Sequence, residues 1–228
     1  MDSSQDDFPA SLMIKNDHYC ELRYGENPHQ TAALYADPTV QEANVVAALQ
    51  LNPTAKELSY NNYNDSDGAL NLIKEFKQPA AAIIKHANPA GCAVGKTISE
   101  AYAKALSTDP MSAFGGVVAL NQECDVKTAE QIVSSFKEVV VAPSYTEDSL
   151  NILRTKKNLR ILSVGELNSP SVTLVEKPIV GGRLIQQRDL SSLSSKDLQV
   201  VTKIEPTPAQ IETMLFAWKV VKHVKSNA

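Results

Sequence analysis

The stretch PAAAIIKHANPAG, Pro79–Gly91, decides the fold of this chain. Its continuous apolar run, Ala80–Ile84, is too short for a helix and is typical of a strand buried on both faces. Lys85 and His86 follow directly, and Asn88–Gly91 has the composition of a turn. The sequence therefore predicts a buried strand that ends in a cation and an imidazole.

Lys85 and His86 stand where α/β proteins bind ligands. Ligands of open α/β sheets bind in crevices at the carboxyl ends of strands. A cation and an imidazole at such a place can bind an anion and transfer a proton. Lysine and histidine at a strand end are also often merely exposed to solvent. This stretch alone leaves both interpretations open.

Helical and extended patterns alternate on both sides of this strand. A helix is expected to begin near Asp67, and Thr97 and Glu100 form a capping box for another that runs through Leu106. Further elements are a helix capped by Asp125 with apolar positions through Phe136, a strand at 139–141, a helix at 147–153 and a strand at 159–162. The alternation predicts an α/β fold with a largely parallel sheet.

The pattern changes near Gly165. Residues 172–189 have an extended pattern that contains the pair Gly181–Gly182, and a polar linker follows. A helix begins at Thr207, with Pro208 in its first position. Its apolar stripe is Ile211, Met214, Trp218 and Val221, and its polar face is Lys219, Lys222, His223 and Ser226. Solvated lysines explain this polar face, and a phosphate-facing cluster is the alternative.

Composition excludes several classes of protein. The net charge of −4 argues against nonspecific binding of nucleic acid, and the chain has no apolar stretch long enough to span a membrane. The first residues lack the pattern of a signal peptide. The three cysteines, Cys20, Cys92 and Cys124, have no metal-binding spacing. We therefore expect a reduced, cytoplasmic protein.

Seven motifs occur in an order that resembles one enzyme family. They are RYGENPHQ (23–30), LSYNN (58–62), KHANPAG (85–91), DPMSAFGG (109–116), EVVVAP (138–143), KKNLR (156–160) and FAWKVVKHVKSNA (216–228). Together they resemble AICAR transformylase, the formyltransferase portion of the bifunctional AICAR transformylase/IMP cyclohydrolase of purine biosynthesis. The resemblance covers essentially all of the chain after residue 20.

The resemblance implies a cytidine-deaminase-like layered fold, of which this chain carries the first of two copies. The implied parts are a lead-in (1–20), the first subdomain (21–164) and a connecting region ending in a long helix (165–228). Nothing in the sequence corresponds to the cyclohydrolase domain. The zinc signature of the deaminases is absent, so no metal is expected and a zinc-dependent nucleoside deaminase is disfavoured.

The resemblance also implies the reaction. A formyl group passes from the co-substrate 10-formyltetrahydrofolate to the 5-amino group of AICAR, giving FAICAR. In this pattern His86 is the general base, Lys85 supports the transition state or protonates the folate nitrogen, and Asn227 lies near the transferred group. The adjacent ammonium and partial burial are expected to favour a neutral imidazole at His86.

The remaining implied site residues bind the two substrates. The AICAR-binding residues are Arg23, Tyr24, Gly115, Glu138 and, by a weaker match, Asn64; Ser112 and Phe114 border the folate. The family site forms across a homodimer, so we expect a homodimer with small-molecule substrates and neither nucleic acid nor membrane as a partner. The alternative is a fragment that folds and binds AICAR but needs a missing half for turnover.

Overall fold

The computed structural model describes residues 8–172 and 174–225, which form five α-helices, one short 3-10 helix (Ser195–Asp197) and ten strands. The strands are β1 (Asp17–Leu22), β2 (Ala32–Ala36), β3 (Leu49–Gln50), β4 (Ala80–Lys85), β5 (Asn88–Val94), β6 (Val117–Leu120), β7 (Val139–Ala142), β8 (Arg160–Ser163), β9 (Leu174–Ile179) and β10 (Gly182–Gln187). The helices are α1 (Tyr60–Ile73), α2 (Ile98–Thr108), α3 (Val126–Val133), α4 (Glu147–Arg154) and α5 (Pro208–Val221).

Six strands form a mixed central sheet in the order β3-β8-β7-β6-β4-β5. The pairs β6–β7 and β7–β8 are parallel, whereas β3–β8, β4–β6 and β4–β5 are antiparallel. Strands β5, β6, β7 and β8 therefore point one way, and β3 and β4 point the other way. The predicted α/β class is confirmed, and the parallel pairing is confined to β6, β7 and β8.

The central sheet is buried on both faces. Ile83 and Val118 pack with α2, α3 and α4 in one core, whereas Ile84 and Val117 pack with α1 in the other. Every residue of β4 from Ala80 to Ile84 is at most 1% exposed. Successive residues of β4 thus face different cores, which confirms that the apolar run is a strand covered on both faces.

Two predicted helix boundaries were wrong. Helix α1 begins at Tyr60, seven residues before the expected Asp67, because Ser59 and Asn62 form a reciprocal capping box. Helix α3 ends at Val133, so Phe136 lies in the loop before β7 and is 50% exposed. The first difference places Asn62 in the first turn of α1, and the second places Phe136 in a loop, both at the edge of the sheet where β7 begins.

Helix α5 packs with the face opposite to the one predicted. Lys219 of α5 and the residues Lys222 and His223 just after it are half-buried and contact Glu75 just after α1, whereas Met214 and Trp218 are exposed. Burial alone would raise the pKa of Glu75, but hydrogen bonds from His223 and Lys222 outweigh it and lower the pKa. Solvated lysines are therefore the wrong description of this face.

A buried carboxylate, Glu42, joins the loop before β3 to α1 and to the segment after β10. It is 5% exposed and accepts hydrogen bonds from Lys74 Nζ at 2.7 Å and from Arg188 Nη1 at 2.8 Å. Burial alone would raise the pKa of Glu42, but Arg188 and Lys74 outweigh it and lower the pKa to about 2. This pairing stabilises the folded state while Glu42 is ionised.

Replacing Glu42 by Gln is expected to lower the free energy of unfolding by about 2–3 kcal/mol at pH 7, because it leaves two half-buried cations without their carboxylate. A lowered folded-state pKa contributes stability above the unfolded pKa of 4.5, and this contribution is lost as pH falls towards about 2. Urea unfolding at pH 7, 4 and 3 should show the gap between wild type and Glu42→Gln closing.

The exposed pair Arg183–Glu176 supplies a matched control for this prediction. Its Nη1–Oε2 distance is 2.8 Å, like that of the buried pair, but both side chains are at least one-third exposed. Glu176→Gln should cost less than about 1 kcal/mol. Equal effects of the two substitutions would contradict the stabilising role of Glu42.

The described residues contain no helix that is long and apolar enough to cross a membrane. All three cysteines are free thiols, and Cys124 is buried.

Candidate active site

The β4–β5 hairpin turns at His86 and Ala87. Their φ angles are 52° and 63°, and Lys85 pairs with Asn88 on either side of them. Two positive φ angles at the centre of a two-residue loop are the signature of a type I′ turn, which usually contains Asn or Gly. The turn predicted at Asn88–Gly91 was wrong, because these residues open an edge strand, where proline is tolerated.

The hairpin turn lies where the parallel strands begin. Strand β4 runs antiparallel to β6, so its last residues lie beside the first residues of β6 and β7. Lys85 lies at the carboxyl end of its strand, as predicted, but this end adjoins the amino ends of the parallel strands. Residues just before β6 and β7, including Gly115 and Glu138, are brought to the same edge as Lys85.

Lys85 is held against the backbone of Gly115. Its Nζ donates a hydrogen bond to the Gly115 carbonyl oxygen at 3.1 Å, and no carboxylate is paired with it within the described part of the chain. Gly115 is buried with a φ of 68°, and a Cβ there would lie 3.1 Å from Lys85 Nζ. Glycine thus permits both the left-handed backbone and the close approach of the ammonium.

Glu138 lies one residue before β7, and its backbone continues the sheet. Its N–H donates to the Gly116 carbonyl, and its own carbonyl accepts from Arg160 N–H, both at 3.1 Å. Its half-buried carboxylate Oε2 accepts a hydrogen bond from Asn62 Nδ2 at 2.7 Å. This edge of the central sheet therefore carries a fixed carboxylate as well as the Lys85 ammonium.

Two side chains of α1 complete this edge, and sequence reasoning assigned neither of them a role. Asn62, in the first turn, binds Glu138, and Asp65 Oδ1 accepts the backbone N–H of Ala87 at 2.8 Å. The available signal was the polar segment from Ser59 to Asp65. Helix α1 thus holds both the turn and the carboxylate in place.

His86 projects from the turn into solvent. It is exposed, so the expected partial burial was wrong. Strand β4 ends at Lys85, and this ending removes the alternation that would otherwise send neighbouring side chains to opposite faces. Lys85 and His86 can therefore serve one site, with the ammonium fixed and the imidazole accessible to a ligand.

In the described part of the chain, the other residues predicted for the site form no hydrogen bond with the side chains of Lys85, His86 or Glu138. Arg23 is exposed and stacks over the Tyr24 ring at 5.6 Å; their loop reaches α1 through the hydrogen bond from Asn61 Nδ2 to the Glu26 carbonyl. Asn64 is exposed on α1, and Ser112 Oγ binds Asp109. Phe114 is 61% exposed, with its ring centroid 5.5 Å from that of Phe136.

Asn227 lies outside the described residues. The last described residue, Lys225, donates its backbone N–H to Asn88 Oδ1 at 3.0 Å. Asn88 directly follows the hairpin turn, so the described chain ends beside His86 and Ala87. Among residues 8–172 and 174–225, no cluster of three or more His, Cys, Asp or Glu side chains is arranged to hold a metal ion.

The turn stores backbone strain that glycine should release. Ala87→Gly is expected to raise the free energy of unfolding by about 1 kcal/mol, because alanine in the left-handed region costs about 1–2 kcal/mol. Thermal unfolding measures this change. The control Ala90→Gly, in β5 with no positive φ, should be destabilising. A destabilising effect at both positions would show that the turn is unstrained.

Comparisons with known proteins agree with the sequence resemblance. The family model described as "AICARFT/IMPCHase bienzyme" matches residues 1–228. The chain is similar to the bifunctional purine biosynthesis protein PurH of Halalkalibacterium halodurans, with 46% identity over 229 aligned residues. That alignment covers the whole chain but only 44% of the relative, so the chain spans less than half the length of this curated protein.

Proposed function

The chain belongs to the AICARFT/IMPCHase bienzyme family, whose PurH relative acts in purine biosynthesis, and on this premise we propose that it supplies the transformylase chemistry. The proposed reaction transfers the formyl group of 10-formyltetrahydrofolate to the 5-amino group of AICAR. The observation that carries this proposal is the β4–β5 turn, which presents an accessible imidazole next to an ammonium fixed on Gly115.

The proposed reaction needs a base and a cation at one place. The attacking amine is a poor nucleophile, because its lone pair is delocalised into the imidazole ring and carboxamide. As it attacks, it must lose a proton while the formyl oxygen gains negative charge. In this proposal His86 takes the proton and Lys85 stabilises the oxygen.

The steps balance without a further reactant. The amine nitrogen forms a bond to the formyl carbon, and the bond from that carbon to the folate N10 breaks. The proton lost by the amine goes to His86, and N10 leaves with a proton from Lys85. Transfer of a proton from His86 to Lys85 restores both groups, so the products are FAICAR and tetrahydrofolate.

The other residues have binding roles in this proposal. Glu138, held by Asn62, accepts a polar hydrogen of AICAR, and Arg23 with Tyr24 binds its phosphate and ribose, since arginine donates paired hydrogen bonds to phosphate. Gly115 lies beside the base, Asn64 adds a polar contact, and Asn227 lies near the transferred group. Ser112 and Phe114 border the folate.

The proposed setting is a cytoplasmic homodimer with a site shared between protomers and no metal cofactor. The proposed scaffold is the first of two cytidine-deaminase-like copies (21–164), between a lead-in and a connecting region (165–228). A second candidate function is binding of AICAR without turnover. The observation that favours it is the coverage of only 44% of the PurH relative.

Titration and turnover measurements separate these functions. The purified chain is titrated with AICAR and with 10-formyltetrahydrofolate, and tetrahydrofolate formation is followed with both present. Turnover supports formyl transfer by this chain, whereas AICAR binding without folate binding supports the second candidate. Conversion of FAICAR to IMP, with no binding of folate, would assign the chain to the other activity of the family and overturn the proposal.

A further inference from the structure

A pocket lined by lysines lies next to the candidate site but contains none of the residues assigned to it. It has a volume of about 360 Å³ and lies between the loop after α3 and the loop after α4. Lys137, Lys156 and Lys157 line it, together with Ser135, Phe136 and Asn158. Its lining in the described chain includes no aspartate or glutamate.

Lys137 is the unusual member of this group. It is 4% exposed, and the structure pairs it with no carboxylate of the described residues. Its Nζ donates to Ser135 Oγ at 2.6 Å and, over a longer distance of 3.4 Å, to the Phe136 carbonyl. An ammonium has three N–H donors, so one remains for a ligand. Burial lowers the pKa of Lys137, as expected where the charge lacks a counterion.

Lysines near the ends of α3 and α4 also have a purely structural explanation. Cations are stabilised at helix C-termini, where Lys156 and Lys157 are exposed to solvent. That explanation does not require a buried ammonium, because the same interaction is available to an exposed side chain. Burial of Lys137 beside two free lysines is instead the arrangement that binds an anion.

Phe136 connects this pocket to the candidate active site. It lines the pocket, packs against the Phe114 ring at an interplanar angle of 52°, and its ring lies 3.3 Å from where a Cβ on Gly115 would be. Lys85 Nζ lies 3.1 Å from the same point. A ligand that reacts at Lys85 and extends past the two phenylalanine rings would therefore reach Lys137.

We infer that the pocket formed by Lys137, Lys156 and Lys157 binds the carboxylates of the glutamyl end of the folate co-substrate. This inference rests on the proposed function, which brings the formyl-bearing part of the folate to Lys85 and His86. The aromatic middle of the folate lies along Phe114 and Phe136. The glutamyl carboxylates accept hydrogen bonds from the three lysines, and the buried charge of Lys137 gains its counterion.

Two folate ligands and three variants test this inference. The chain is titrated with 10-formyltetrahydrofolate and with 10-formyltetrahydropteroate, which lacks the glutamate. Lys137→Met removes the charge but keeps the shape of the side chain. It should weaken binding of the glutamylated ligand by about 10- to 100-fold and leave binding of the pteroate unchanged.

The double variant Lys156→Met/Lys157→Met, on the surface, should cause a smaller loss of affinity, again only for the glutamylated ligand. The control Lys127→Met, on the exposed side of α3, should change neither affinity.

The outcomes distinguish the pocket from the proposed function. If Lys137→Met bound the glutamylated ligand as tightly as wild type, or lost equal affinity for both ligands, the pocket assignment would be overturned. The proposed function would not be affected by either result. A wild-type chain that binds neither folate ligand contradicts the proposed function and, with it, this assignment.

Inorganic phosphate is titrated in parallel. Binding of phosphate that depends on Lys137, without any effect of the glutamate, would identify a site for free anions and overturn the folate assignment.

Discussion

His86→Ala is expected to reduce formyl transfer by about 10²–10⁴-fold in an active protein that contains this chain, because it removes the proposed general base at the hairpin turn. The folded structure should remain intact, since the side chain of His86 is exposed. An alanine also already adopts a positive φ in this turn, at Ala87. Tetrahydrofolate formation measures the activity, and circular dichroism measures the fold.

Two further histidine variants separate chemistry from turn geometry. Asparagine favours the left-handed backbone, so His86→Asn should keep the turn and still lose activity. His18→Ala, in β1 beside Tyr35, removes an exposed imidazole outside the site and should retain activity. If His86→Asn turned over as fast as wild type, His86 would not be the base.

Gly91→Ala is expected to lower the free energy of unfolding by about 3 kcal/mol or more, the upper part of the range for overpacked cores. A Cβ on Gly91 would lie 2.0 Å from the carbonyl oxygen of Ala105, so strand β5 and helix α2 would have to separate. The obstacle is backbone and not a flexible side chain. Urea unfolding, with the slope checked for two-state behaviour, measures the loss.

Gly68→Ala is the matched control, with the same chemical change at a helical position. Apart from the backbone of its own helix and its chain neighbours, no atom lies within 4 Å of a Cβ on Gly68, and alanine restricts the unfolded chain and favours the helix. We expect an increase in unfolding free energy of about 0.4–1 kcal/mol. Similar losses at both positions would show that general sensitivity to alanine, and not the approach of α2 to β5, explains the result.

The elements that hydrophobic spacing specifies were predictable. Strand β4, the helix α4 and the capped start of α5 were all expected from apolar periodicity and capping residues, and the structure confirms them. The small antiparallel strands β1, β2 and β3 were not identified, because their exposed residues carry no strong alternation. The antiparallel pairing of β4 with both its neighbours was not predicted, since the sequence of a buried strand is similar in parallel and antiparallel sheets.

The sequence named some of the residues at the candidate site but not the contacts between them. Lys85, Gly115 and Glu138 were named from motifs, and the structure brings them to one edge of the sheet. The hairpin turn was misplaced, because His and Ala are unusual in a type I′ turn and the proline and glycine that follow indicated a later one. Lys137 carries no sequence signal of its burial, which depends on the loops after α3 and α4.

The packing of α5 also gives the chain an optical reporter. The sequence contains one tryptophan, Trp218, and it lies on α5 with 54% of its surface exposed. The same helix contacts Glu75 through Lys219, Lys222 and His223, and its end leads to the hairpin turn. The tryptophan emission spectrum therefore reports on the outer face of one helix. A blue shift of that spectrum records that the face around Trp218 has become covered.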